Sequence, residues 1–384
     1  MIKINIVIPS FYPAVIYGGP IFSSLYMSLE LSKLPDIYIH VSTINSNMNS
    51  KLNVVTNVKT RMSNSLFVTY YNETITNSLS LPLLLNLYKD IYESDIVHIQ
   101  SVFSISTPVA LLISRILNKK VFLSSRGQLG RWCLNNGSRY KKLWLKLLVR
   151  PFVKSLEWHA TSNQEKEEIL DIFPDSKIVV IPNGIYLDKF TTNSILSKVE
   201  LLKKFSIPFN LNIGKIIISM GRLQEKKGFD VLIRSFKGVL DRYPNSYLLI
   251  AGPDEGEKNK LIKISNELNL SSNVYFVGNI ENQDKSEFFA SADLFALSSH
   301  NENFGNVYIE SLASGTPIIA SKNTPWKDVE RFNCGRHVEV DVIQFREAML
   351  DILSKDRSLM RERSVKYAIG YDWTVVAKKF HDIL

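Results

Sequence analysis

Ser298-Ser-His-Asn-Glu-Asn-Phe-Gly-Asn-Val-Tyr-Ile-Glu-Ser-Leu-Ala-Ser-Gly-Thr-Pro317 decides the fold. The apolar run Asp293-Leu-Phe-Ala-Leu297 just before it reads as a short buried strand bounded by polar residues. Phe304-Gly305-Asn306 reads as a turn with Asn306 as the helix N-cap. Residues 307–314 then read as a helix whose Ile309, Leu312 and Ala313 share one buried face. Gly315 ends that helix, Pro317 follows, and Ile318-Ile319-Ala320 reads as the next strand. Strand, loop and helix N-terminus in this order belong to an α/β sheet, and they turn free N–H groups and a positive dipole end toward a ligand. Two carboxylates complicate an anion site: Glu302 in the loop and Glu310 in the first helical turn, seven residues between them. Acids so placed suit hydroxyl donors, as sugars supply. The alternative is that Glu310 complements the dipole and Glu302 is solvated.

Upstream of this stretch, 215–220 reads as a strand, with Gly221-Arg222 at its end and Lys227-Gly228 opening a helix over 229–242. An Arg and a Lys beside a helix N-terminus neutralise a diphosphate without a metal. Read as ordinary surface, Lys226-Lys227 is an exposed charge pair. Further strands at 247–251 and 274–277 end in Gly252-Pro253 and Gly278, followed by helices at 342–353, 358–369 and 371–384. Residues 186–214 have mixed polarity and read as containing the linker. In the first half, 3–8 is a continuous apolar strand of the kind found in parallel sheets covered on both faces. Gly18-Gly19-Pro20 precedes a helix over 21–34, where glycines either admit a phosphate to the backbone or simply make a tight turn. Strands at 37–43, 95–100, 121–125 and 178–181 alternate with helices at 81–92, 107–117 and 164–172. Such alternation implies two doubly wound parallel sheets, with ligands at the carboxyl ends of the strands. Arg126-Gly127 stands at one such end, where Arg126 either holds a phosphate or forms a surface salt bridge.

With 384 residues, 45% hydrophobic and 22% charged, the chain suits two ordinary domains. No apolar run reaches the ~18 residues a membrane span needs. Met1-Ile-Lys-Ile-Asn-Ile-Val-Ile-Pro9 reads as a strand without a signal-peptide cleavage region, so a cytoplasmic protein is expected. Cys133 and Cys334 lie far apart without metal-ligand neighbours, the six histidines form no close pair, and no Asp-x-Asp occurs; no metal site and no cofactor are expected. The net charge of +9 favours anionic partners, although no nucleic-acid motif is present. In 139–150, leucines mix with Lys141, Lys142, Lys146, Arg139, Arg150, Tyr140 and Trp144. This reads as a basic amphipathic helix, either lying on an anionic membrane or packing in the core with a solvated basic face.

Glu302-Asn-Phe-Gly305 followed by Glu310 resembles the E-x7-E signature of the retaining GT-B glycosyltransferases, family 4. Gly221-Arg222 with Lys227-Gly228 is similar to that family's diphosphate clamp. The resemblance implies a GT-B fold: two Rossmann-like domains, 1–185 on the acceptor side and 186–370 on the nucleotide-sugar side, facing a cleft. Residues 371–384 would cross back onto the first domain. It implies a donor that is a UDP- or GDP-linked sugar and an acceptor that is a glycan, in particular a lipid-linked one, for bacterial surface polysaccharide. Glu302, Arg222, Lys227 and Arg126 would carry the chemistry. Gly18, Gly19, Gly252, Phe304, Gly305, Asn306, Val307 and Glu310 would hold the donor, with Glu310 on the ribose. Asn303 stands where many relatives have Gly, and Arg126 where many have His. A GT-B nucleotide-sugar epimerase and a two-lobed sugar-binding protein are the rival readings.

Overall fold

A computed structural model describes residues 1–75, 79–135, 140–191, 195–210, 212–280 and 282–384. The chain forms two compact units, Met1–Gly184 with Trp373–Leu384, and Ile185–Asp372.

The first unit is built on an eight-stranded sheet in the order Lys177–Val180, Glu157–Ala160, Lys120–Ser124, Ile96–Gln100, Ile2–Val7, Ile37–Ile44, Leu66–Tyr71 and Lys59–Arg61. All neighbours are parallel except the last pair. The central strands are buried on both faces because helices cover both; all of Ile96–Gln100 is buried, His98 and Gln100 included. Trp373–His381 packs into this unit, with the Phe380 ring stacked 5.3 Å from His98 and Lys120 Nζ donating to the Ile383 carbonyl at 2.5 Å.

The second unit holds a six-stranded, wholly parallel sheet in the order Val274–Gly278, Tyr247–Ala251, Ile216–Met220, Leu294–Leu297, Ile318–Ser321 and Gly335–Val338. The first three strands step one way from Ile216–Met220, and the chain then returns to add Leu294–Leu297 on that strand's other side. The crevice outside the carboxyl ends of these two strands is the switch point at which doubly wound sheets bind ligands.

Two expectations need correction. The linker expected within 186–214 does not mark the change of unit, which falls at Gly184, before that segment. Within it, Lys198–Lys204 is a helix with a reciprocal Ser197–Glu200 capping box and buried Leu201 and Leu202. Nor is 139–150 one amphipathic α-helix. Arg139 lies outside the described residues; Tyr140–Trp144 is α-helical, Leu145–Val149 widens into a π turn, and Arg150–Ser155 tightens to 3-10. That change of period buries Leu145 and Val149 but leaves Leu143, Leu147 and Leu148 52%, 57% and 37% exposed. Trp144 donates its indole N–H to the Val102 carbonyl at 2.9 Å.

Candidate functional site

Two loops at the switch point of the second unit are stitched together by their backbones. The His300 N–H donates to the Lys226 carbonyl at 2.8 Å, and the Ser298 hydroxyl donates to the Gly228 carbonyl at 2.5 Å. Lys227 closes a 3-10 turn, Glu225–Lys227, before the helix Phe229–Leu240, and this stitching delivers its ammonium to Glu302. Lys227 Nζ and Glu302 Oε1 form an ion pair with the side chains only 14% and 12% exposed. Ser299 adds a hydroxyl donor to the same carboxylate oxygen at 3.2 Å, and the Glu302 N–H is held by the Asn323 carbonyl at 3.2 Å.

Beyond Glu302 the chain enters the helix Asn306–Ala313, whose N-cap is Gly305 at φ 75° rather than Asn306. Glu310 consequently lies one residue deeper than the sequence reading placed it, and no acid occupies the first turn. Its carboxylate is therefore not spent on the dipole; Lys285, from the helix Asn282–Ser291, holds Glu310 Oε2 at 2.6 Å. The Phe304 ring is core, stacked edge-on to Trp326 at 5.0 Å, and the Trp326 indole donates to the Phe304 carbonyl at 2.6 Å. What Phe304 and Gly305 can offer a ligand is thus backbone N–H, as can Asn306 and Val307 in the helix's first turn. Asn303 Oδ1 is buried with no hydrogen-bond partner among the described residues.

Arg222, at the end of Ile216–Met220, pairs with Glu255 at 2.9 Å, but both are open to solvent at 47% and 37% exposure. Gly252 follows Tyr247–Ala251, and its N–H donates to the Gly278 carbonyl at 2.7 Å. The site thus carries three cation–carboxylate pairs, Arg222–Glu255, Lys227–Glu302 and Lys285–Glu310, so the cations do not stand free. Glu255 and Lys285 were not recognisable from sequence. Each partner comes from a different strand–helix crossover, and no local motif marks it.

In the first unit Gly18 and Gly19 open the helix Gly19–Leu31, and Arg126 follows the strand Lys120–Ser124. The two are linked through Gln100: its Oε1 accepts from the Ser24 hydroxyl at 2.6 Å and from Arg126 Nη2 at 2.9 Å. Arg126 also reaches Asn183 Oδ1 at 3.3 Å, and it is not in a surface salt bridge. Burial pushes its guanidinium down to about 10, with Glu165 acting in the opposite direction, so it stays charged at neutral pH. Its φ of 51° is imposed by Glu165, whose Oε1 accepts from the Ser125 hydroxyl at 2.5 Å and the Gly127 N–H at 2.8 Å. Glu165 Oε2 is taken by Thr161. Behind this turn His98, Ser124 and His159 are hydrogen-bonded in a row at 2.7 and 2.9 Å. Burial and then Arg126 push His159 down to about 3, so the row is neutral. Among the described residues no three His, Cys, Asp or Glu converge as a metal site requires, and no helix is long and apolar enough to cross a membrane.

Residues 204–370 match the family described as Glycosyl transferases group 1. The chain is 34% identical over 222 residues to an uncharacterized glycosyltransferase of Methanocaldococcus jannaschii, covering 56% of this chain and 52% of that protein. It is 30% identical over 239 residues to the alpha-monoglucosyldiacylglycerol synthase of Streptococcus pneumoniae, covering 60% and 53%. The chain thus spans about half the length of the curated relatives it matches. Anabaena HepE, solved in complex with UDP and glucose, superposes with a TM-score of 0.73 at 16% identity, over 100% of this chain and 99% of that one. That likeness shows the fold, which is GT-B.

Proposed function

From the glycosyl transferases group 1 domain that residues 204–370 form, we propose that the chain is a retaining glycosyltransferase that needs no metal. Its donor is a UDP- or GDP-linked sugar and its acceptor a glycan, in particular a lipid-linked one, in bacterial surface polysaccharide synthesis. The observation that carries this reading is the convergence of Lys227, Glu302 and the Asn306–Ala313 helix N-terminus at the switch point. As the glycosidic bond breaks, negative charge accumulates on the departing diphosphate. Lys227 and Arg222 can exchange their carboxylate partners for it, and the first-turn amides add donors that need no reorganisation. In this reading Glu302 faces the sugar, Glu310 accepts from the ribose hydroxyls, and Arg126 meets a phosphate but, staying charged, cannot act as a base. The UDP in the complex of the structural neighbour supports the donor class. Retention fits front-face attack in which the leaving phosphate takes the acceptor proton.

Thermal shift with UDP and GDP tests the donor side, because a ligand raises apparent stability with its concentration. Glu310→Gln is expected to weaken the preferred nucleotide about tenfold, the size of one charge-assisted hydrogen bond. Lys285→Met frees the carboxylate without removing it and should leave binding near the parent's. Equal loss in both variants makes the pair merely structural, and activity abolished by EDTA and restored by Mg²⁺ ends the metal-free mechanism.

Peripheral membrane contact belongs to the same proposal. It is supported by Leu143, Leu147 and Leu148, which stand exposed beside Lys142 and Lys146. Salt-sensitive co-sedimentation with anionic vesicles is expected, lost when Lys141, Lys142 and Lys146 are changed to Glu. Binding unaffected by those changes would place the contact elsewhere.

A further inference from the structure

A cavity of about 550 Å³ lies wholly in the first unit, at the carboxyl ends of Ile2–Val7, Ile37–Ile44 and Ile96–Gln100. Its apolar wall is Ile44, Leu83, Leu84, Phe103 and Ile105. The hydroxyls that line it are largely committed. Tyr17 and Ser46 lie 3.2 Å apart, Ser80 donates to the Asn72 carbonyl at 2.7 Å, Ser101 to Gln128 at 3.1 Å, and Ser104 and Ser106 pair at 2.8 Å. Among the described residues the lining holds no Asp, Glu, Lys, Arg or His, in a chain with 46 Lys and Arg and 37 Asp and Glu. A phosphate or carboxylate entering it would lose hydration and find no cation among the lining residues. An aliphatic group would gain from leaving water.

The wall at Phe103 continues into the segment with the exposed leucines. Lys141 Nζ sits 5.3 Å from the Phe103 ring centroid while donating to the Cys133 carbonyl at 2.7 Å, and Trp144 is bonded to the adjacent Val102 carbonyl. The segment that carries the exposed Leu143, Leu147 and Leu148 is thus anchored beside the cavity through Lys141 and Trp144.

We infer that this cavity holds the uncharged, aliphatic-bearing part of the acceptor, so that the acceptor is a neutral amphiphile, a glycoside or glyceride of an alkyl or acyl chain, and not a phosphorylated lipid. The inference rests on the glycosyltransferase reading for the word acceptor, but not for the cavity's ligand. The test is binding of hexyl, heptyl, octyl and nonyl β-glucosides to the full chain below their micellar concentrations, with UDP and GDP binding measured in parallel. Affinity is expected to rise with chain length, by up to about fourfold per methylene buried. Ile105→Asp, which puts a carboxylate at the exposed rim ahead of the helix Ser106–Ile116, should flatten that series while leaving the urea midpoint and UDP binding unchanged. A flat series in the parent overturns the inference. So does octyl phosphate binding as tightly as octyl glucoside, or Ile105→Lys tightening the glucosides. If neither UDP nor GDP binds while the chain-length series holds, the transferase reading fails and the cavity's ligand class stands.

Discussion

Replacing Lys227 with alanine is expected to lower kcat by ~10²-fold or more, the usual size of losing one preorganised donor to a developing negative charge. The Lys227–Glu302 pair makes a sharper statement available than the single variant does. Lys227→Ala leaves the Glu302 carboxylate mostly buried with, among the described residues, only the Ser299 hydroxyl bonded to it, so it should also lower stability and weaken nucleotide binding. Glu302→Gln releases the ammonium, so nucleotide binding should hold or tighten while transfer falls. If the two act as one unit, Lys227→Ala/Glu302→Gln should be scarcely slower than the worse single variant, and it should regain urea stability relative to Lys227→Ala. Rate losses that multiply would mean two independent contributions. Full activity in Lys227→Ala would remove the leaving-group role.

Why the pair was legible in part, and its surroundings were not, follows from sequence distance. Glu302, Gly305 and Glu310 sit in one continuous strand–loop–helix, so their order alone placed them at a helix N-terminus. Lys227 came from a second local pattern, a strand end followed by a glycine. That Lys227 meets Glu302 depends on Ile216–Met220 and Leu294–Leu297 being sheet neighbours, a pairing separated by several crossovers. The same holds for Lys285 with Glu310 and for Glu255 with Arg222. Gln100 and Glu165, which hold Arg126, are ordinary residues by type; Ser162-x-x-Glu165 looks like a capping box, and the glutamate instead turns to the 125–127 loop.

Other misses had signals that went unused. Leu66-Phe-Val-Thr-Tyr-Tyr71 is rich in β-branched and aromatic residues, and it forms a strand pairing with Ile37–Ile44. Ser197-Lys-Val-Glu200 marks the start of a helix inside what read as linker. The N-cap misplacement at Asn306 has a different cause. Asparagine is the better capping side chain, but the turn needs φ > 0 at Gly305, and that fixes where the helix begins. In 139–150 the periodicity argument assumed an α-helical period throughout. The π turn breaks that period and turns leucines to solvent that an ideal helix would have buried.

Gly228→Ala is expected to cost more than ~3 kcal/mol of stability and to abolish transfer, and Gly18→Ala, whose backbone is the more strained of the two for a side chain, bounds from above how much of that is backbone strain. Both glycines have positive φ, 64° and 76°. Gly228, at ψ 27°, is left-handed, where a methyl group meets a penalty of ~1–2 kcal/mol; Gly18, at ψ −143°, lies in a region essentially reserved for glycine, where the strain is ~1–3 kcal/mol. Their surroundings differ. A Cβ on Gly18 has nothing within 4 Å, whereas one on Gly228 would fall 2.2 Å from the Ser298 carbonyl oxygen, a backbone atom that no side-chain rotation can move. Relief would require the 298–305 loop to part from the 221–228 loop, breaking the Ser298–Gly228 and His300–Lys226 hydrogen bonds that bring Lys227 to Glu302. Urea unfolding of the two variants should therefore show a modest shift for Gly18→Ala and a large one for Gly228→Ala. At temperatures where Gly228→Ala still folds, it should remain inactive. A shift for Gly228→Ala no larger than the left-handed penalty of ~1–2 kcal/mol would mean that the loops yield at no cost and that their close approach does not position Lys227.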